Sequence, residues 1–130
     1  MIVRYCGGRR FEIEHRQHRV MTDQPVERRG EDTALTPTEL FVGALAACAA
    51  LYAAAVAVRH GLQREDLSVE AEWHEAEEDT QVDRLSFTIR LARPVEPGIA
   101  KALHRAAEQC SLHRTMRNPP PVELKIAQPV

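Results

Sequence analysis

The sequence predicts one α+β domain over residues 1–130, with elements in the order strands, long helix, strands, helix, strand. Three observations carry that reading. Short stretches alternate apolar and polar residues near both ends and in the middle of the chain, as half-buried strands do. An uncharged run from Leu40 to Val58 holds nine alanines in nineteen residues and is bracketed by helix start and stop signals. A length of 130 residues supports one core and is too short for two.

The first strands centre on Val3 and Tyr5, on Phe11 and Ile13, and on Val20. Gly7-Gly8 separates the first two, and Arg16-Gln17 turns into the third. Residues 23–35 are polar and aperiodic, a loop. Thr36 then reads as a helix N-cap, Pro37 as the first helical residue and Glu39 as the third, a capping box in which each side chain satisfies an orphan backbone donor. Arg59 and His60 suit the negative end of the helix dipole, and Gly61 is placed to end the helix in a left-handed conformation. Leu67, Val69, Ala71 and Trp73 alternate on a fourth strand, and Leu85, Phe87, Ile89 and Leu91 on a fifth, joined by the acidic EAEEDTQVD. A second helix runs from Pro97 to Gln109 with Ile99, Leu103, Ala106 and Cys110 on one face. After Pro119-Pro120-Pro121, the alternation of Val122, Leu124 and Ile126 predicts a final strand.

Composition narrows the function classes. Hydrophobic residues at 44% and charged residues at 28% describe a globular chain, and a net charge of -2 offers no broad pull toward nucleic acid or anionic lipid. Residues 1–20 hold five arginines and no continuous apolar stretch, so no secretory leader is expected. Cys6, Cys48 and Cys110 are odd in number and include no CxxC pair, which indicates no disulfide framework and a reducing cytoplasm.

The Leu40–Val58 run has the length of a membrane span. Its alanines contribute little to insertion, and the rest of the chain alternates apolar and charged residues, so the expectation is a core helix and no membrane. One stripe of this helix carries Phe41, Leu45, Cys48, Tyr52 and Ala55, and another Gly43, Ala47, Ala50, Ala54 and Ala57. A helix apolar all round is buried all round, and the remaining chain offers little cover. A homodimer with this helix near the interface is expected.

The cysteines leave alternatives open. A reactive thiolate needs a nearby cation, metal or helix N-terminus, and no lysine or arginine lies between Pro37 and Val58. Cys48 is then either an inert core residue or a thiol activated from elsewhere in the fold. Cys110-x-x-His113 has a spacing that metal sites use, with Cys48 as a third ligand, but no fourth ligand suggests itself. His113 and Arg114 capping the second helix is the better reading, and no metal or cofactor is expected. Cys6 reads as an incidental loop thiol.

GGRRFEIE, GEDTALTPTELFVGALAACAA and QCSLHRTM resemble three successive blocks of the OsmC/Ohr family, in order and at suitable distances over nearly the whole chain. The resemblance implies a compact, intertwined homodimer whose long helices pack centrally with curved antiparallel sheets. It implies a thiol-dependent peroxidase acting on organic hydroperoxides, with Cys48 peroxidatic, Cys110 resolving, and an external dithiol as reductant. It also implies an assisting arginine, matched by Arg9 with Arg10 its competitor. Two positions depart from the family's pattern. Thr38 stands where the peroxidase branch has a glutamate, and Ser111 replaces the proline after the second cysteine. Both departures resemble the less characterised OsmC-like branch. The alternative is thus a non-catalytic redox-sensing or small-ligand-binding dimer.

Overall fold

A computed structural model of the chain describes residues 1–129. They fall into two compact units, one of residues 1–44 with 71–86 and the other of residues 45–70 with 87 onward.

In the first unit, β1 (Ile2–Tyr5), β2 (Phe11–His15) and β3 (His18–Thr22) form an antiparallel sheet in the order β1-β2-β3. Val3 faces Ile13, which in turn faces Val20, so the alternation seen in the sequence sets the register. The turns lie where expected, with Gly7, Gly8 and Arg16 all at positive φ. The polar loop after β3 is held from within. The carboxylate of Asp23, 1% exposed, accepts hydrogen bonds from the amides of Gln24, Glu31 and Thr33 and from the Thr33 hydroxyl, at 2.7–3.2 Å. The Thr33 amide leads these donors in holding its pKa down to about 2, against burial, which pushes it up. Gly30 closes the same loop, because a Cβ there would lie 1.7 Å from the carbonyl oxygen of Gln24.

The long helix, α1 (Pro37–Arg59), starts on the expected capping box. The Glu39 amide donates to Thr36 Oγ1 at 3.1 Å, and the Thr36 amide donates to Glu39 Oε2 at 2.7 Å. It ends on Gly61 at φ 73°, where the Leu62 amide donates to the Ala57 carbonyl and the Gly61 amide to the Val58 carbonyl. That is the paired arrangement by which a left-handed residue satisfies the last carbonyls of a helix. β4 (Leu67–Glu75) and β5 (Val82–Leu91) pair as a hairpin whose connection is shorter than the acidic segment suggested. α2 (Pro97–Glu108) and α3 (Ser111–Arg117) follow.

The core of the second unit gathers Ala53, Ala57 and Leu62 with Leu103 of α2, flanked by Val56, Leu67, Ile89, Leu91, Val95 and Ile99. The alanine stripe of α1 is therefore split. Ala57 is fully buried, whereas Gly43 and Ala47 are exposed. Phe41, Leu51 and Val58 are 41%, 69% and 46% exposed, so the uncharged helix is buried on one side of this chain and bare on the other.

Two expectations are corrected. Val122, Leu124 and Ile126 form no strand: the segment after α3 has no regular structure, and these side chains are 92%, 93% and 88% exposed. Alternation makes a strand only where an edge supplies hydrogen bonds, and among the described residues none pairs with this segment. The second correction is α3. A seven-residue helix with only Leu112 and Met116 as an apolar pair carries too little periodicity to be read from sequence.

Candidate functional site

Cys48 and Cys110 are joined as a disulfide, with Cα atoms 5.7 Å apart and 62 positions between them in sequence. The spacing is the usual one for a cystine. Each cysteine is placed by apolar packing. Cys48 lies on α1 between Leu45 and Ala49, which are 2% and 1% exposed. Cys110 continues the inner side of α2 beyond Leu103 and Ala107, and it sits between α2 and α3, its amide donating to the Ala107 carbonyl and its carbonyl accepting from the Arg114 amide, both at 3.1 Å. The two sulfurs differ in access: Cys110 is 0% exposed and Cys48 half-buried.

Polar groups at the pair are few. The Ser111 hydroxyl lies 3.8 Å from Cys48 Sγ, and among the described residues it is the hydrogen-bonding side chain recorded at that sulfur. His113 turns away to the end of α2, its Nδ1–H donating to the Ala107 carbonyl at 3.2 Å while its ring packs on Phe87 at 5.4 Å between centroids. This agrees with the capping reading of that residue. Cys6 is a free, exposed thiol whose Sγ lies 3.6 Å from the Arg4 carbonyl.

The arginines of the GGRR segment belong to the other compact unit, and their surroundings separate them. Arg10 pairs with Glu31 at 3.3 Å. Arg9 has no ion-pair or hydrogen-bond partner among the described residues, and it lines a cavity of about 310 Å³ with Phe11, Thr22, Gln24, Arg28 and Pro37. Arg28, also at this cavity, is held by Glu75 at 2.7 Å, a contact that lowers the Glu75 pKa. Thr38 is the second residue of α1, and the neighbouring Glu39 is committed to the capping box.

Four residues here carry little signal in the sequence. Asp23 looked like one polar residue in a polar loop; the nearby run of small and polar residues ending in Thr33 was the available signal. Arg28 and Glu75 are 47 positions apart, and no local pattern links them. Ser111 was noticed only as a missing proline.

The OsmC family model, described as OsmC-like protein, matches residues 30–125. Among curated protein sequences none matches significantly. Several solved structures share the fold. An osmotic stress induced and detoxification response protein from Psychrobacter arcticus 273-4 is 22% identical with a TM-score of 0.79, over 88% of this chain and 85% of that one. An organic hydroperoxide resistance protein OsmC from Legionella pneumophila is 23% identical with a TM-score of 0.57, over 90% and 88%. An OsmC-like hydroperoxide resistance protein from Jannaschia sp. CCS1 is 24% identical with a TM-score of 0.56, over 98% and 91%. With most of its length matched by the family model, and with the fold of these structures, the chain belongs to the OsmC family.

Proposed function

We propose that this single OsmC-like domain is a cytoplasmic thiol peroxidase acting on organic hydroperoxides. The observation that carries the reading is the Cys48–Cys110 pair, one cysteine on α1 and one at the junction of α2 and α3, within disulfide distance, one reachable and one buried. The Cys48 thiolate attacks the peroxide oxygen that carries hydrogen; the O–O bond breaks, the other oxygen leaves as an alkoxide and takes a proton from water to become the alcohol, and Cys48 becomes a sulfenic acid. Cys110 then attacks the sulfenic sulfur, its proton and the departing hydroxide leave as water, and the disulfide forms. An external dithiol takes up the oxidising equivalents and returns both thiols. Arg9, whose charge no carboxylate neutralises among the described residues, is the assisting guanidinium preferred over the paired Arg10. Two of the similar structures are described as hydroperoxide resistance proteins, which agrees with this chemistry.

The working form is a homodimer. The bare side of α1, with Phe41, Leu51 and Val58, and the half or more exposed Ile2, Val3 and Tyr5 of β1 present apolar surface that a partner copy would cover. A second reading, a redox-sensing or ligand-binding dimer without turnover, is favoured by Thr38, because the nearby Glu39 carboxylate is already engaged by the Thr36 amide.

The deciding experiment is consumption of cumene hydroperoxide in the presence of a dithiol. The wild type should turn over and Cys48→Ser should not. A wild-type rate no higher than that of Cys48→Ser would reject the enzyme and leave the sensor.

A further inference from the structure

We propose that Ser111 is the hydrogen-bond donor that stabilises the Cys48 thiolate, an inference that rests on reading Cys48 as the attacking thiol. In the disulfide, Cys48 Sγ carries no hydrogen, so across the 3.8 Å contact the Ser111 hydroxyl is the donor. Reduction frees the same sulfur, which becomes negatively charged once its thiol loses a proton. The hydroxyl already lies within reach of that sulfur, and a hydrogen bond to an ionised acceptor is shorter and stronger than one to a neutral atom.

The hydroxyl is free for this task. Among the described residues it makes no other hydrogen bond, and it does not cap α3, whose N-cap is Cys110. The residue is exposed, so its side chain contributes no buried packing. The contact is also asymmetric. Ser111 adjoins Cys110 in the chain, yet its hydroxyl lies against the sulfur of Cys48. Cys110 is 0% exposed beside Leu103 and Ala107, and among the described residues no hydroxyl lies against its sulfur. One hydroxyl thus assigns the roles: ionisation is favoured at the reachable sulfur and not at the buried one.

The test reads ionisation without peroxide. Protein reduced with dithiothreitol and freed of reductant is labelled with iodoacetamide between pH 5 and 10, and the Cys48 peptide is followed by mass spectrometry. Ser111→Ala should raise the midpoint of Cys48 labelling by about one pH unit and slow its labelling at pH 7 by up to about tenfold. Ser111→Thr, which keeps a hydroxyl, should restore the wild-type midpoint, and Cys6 should not move in any variant. Ser111→Pro supplies a second chain without the hydroxyl and should match alanine. Proline suits a first helical position, and Cys110 at φ -51°, ψ 133° already has the conformation that precedes proline. An unshifted Cys48 midpoint in either hydroxyl-free variant, with native circular dichroism, overturns the proposal. A shifted midpoint in a protein that does not consume hydroperoxide would reject the peroxidase and leave the role of Ser111 standing.

Discussion

The Cα atoms of Cys48 and Cys110 lie 5.7 Å apart, on α1 and at the junction of α2 and α3, so the two thiols meet by folding and not by proximity in the chain. One equivalent of organic hydroperoxide should therefore convert the reduced protein into a form with an intramolecular Cys48–Cys110 disulfide and a free Cys6. Cys110→Ser should instead accumulate Cys48 as sulfenic acid or a higher oxide. Mass spectrometry distinguishes these products, and unmodified thiols at both positions after treatment would count against the peroxidase.

Thr38 offers a test of what limits the rate. Thr38→Glu places a carboxylate at the second position of α1, where the helix dipole favours negative charge and the fold should accept it. Turnover of cumene hydroperoxide should rise by about tenfold, below the full effect of a well-placed proton-transfer group. An unchanged rate in a folded variant would mean that the missing glutamate is not the limiting feature.

The bare side of α1 predicts assembly. Light scattering at micromolar concentration should give a mass near twice the 14.6 kDa of one chain. Leu51→Arg, at a position 69% exposed in the single chain, should return the mass to that of a monomer without unfolding it. A wild-type mass of 14.6 kDa would contradict the dimer.

Asp23 predicts a pH dependence with a definite sign. Its folded pKa, about 2, lies below the ordinary carboxylate value of 3.8, so the ionised group contributes stability above that ordinary value and loses it as pH falls toward 2. Asp23→Asn should lower Tm at pH 7 by at least about 5 °C, because an amide cannot accept from all the donors around it. The gap between wild type and variant should stay constant down to about pH 4.5 and narrow below it. A gap that stayed constant down to pH 2 would show that the ionised carboxylate does not hold the loop.

Most of the fold was legible because its signals are local. The Thr36–Glu39 capping box, the Gly61 stop and the Val3, Ile13 and Val20 alternation each declare themselves within a few residues. Cys48 and Cys110 were legible as a pair only through family resemblance, since neither sits near a sequence feature that activates thiols. What stayed hidden depends on neighbours far along the chain. Ser111 gains meaning from a sulfur 63 positions away, and Arg28 from a carboxylate 47 positions away. The missing last strand shows the reverse limit: Val122, Leu124 and Ile126 have the pattern of a strand, but a pattern does not provide the edge it must pair with.

The close approach of Gly30 to Gln24 carries a consequence for inherited variation. Every missense change at a glycine codon adds at least a Cβ, and here that atom would meet a backbone oxygen at 1.7 Å. The displaced residue, Gln24, donates its amide to Asp23 and lines the cavity that holds Arg9. Gly43 and Gly98 face open space in the single chain and should accept alanine far more readily. In a saturation-mutagenesis library selected for growth under peroxide stress, codon 30 should be depleted of all replacements, almost as a codon for a reactive cysteine would be. The gene would then carry a signature of indispensability at a residue with no side chain to react.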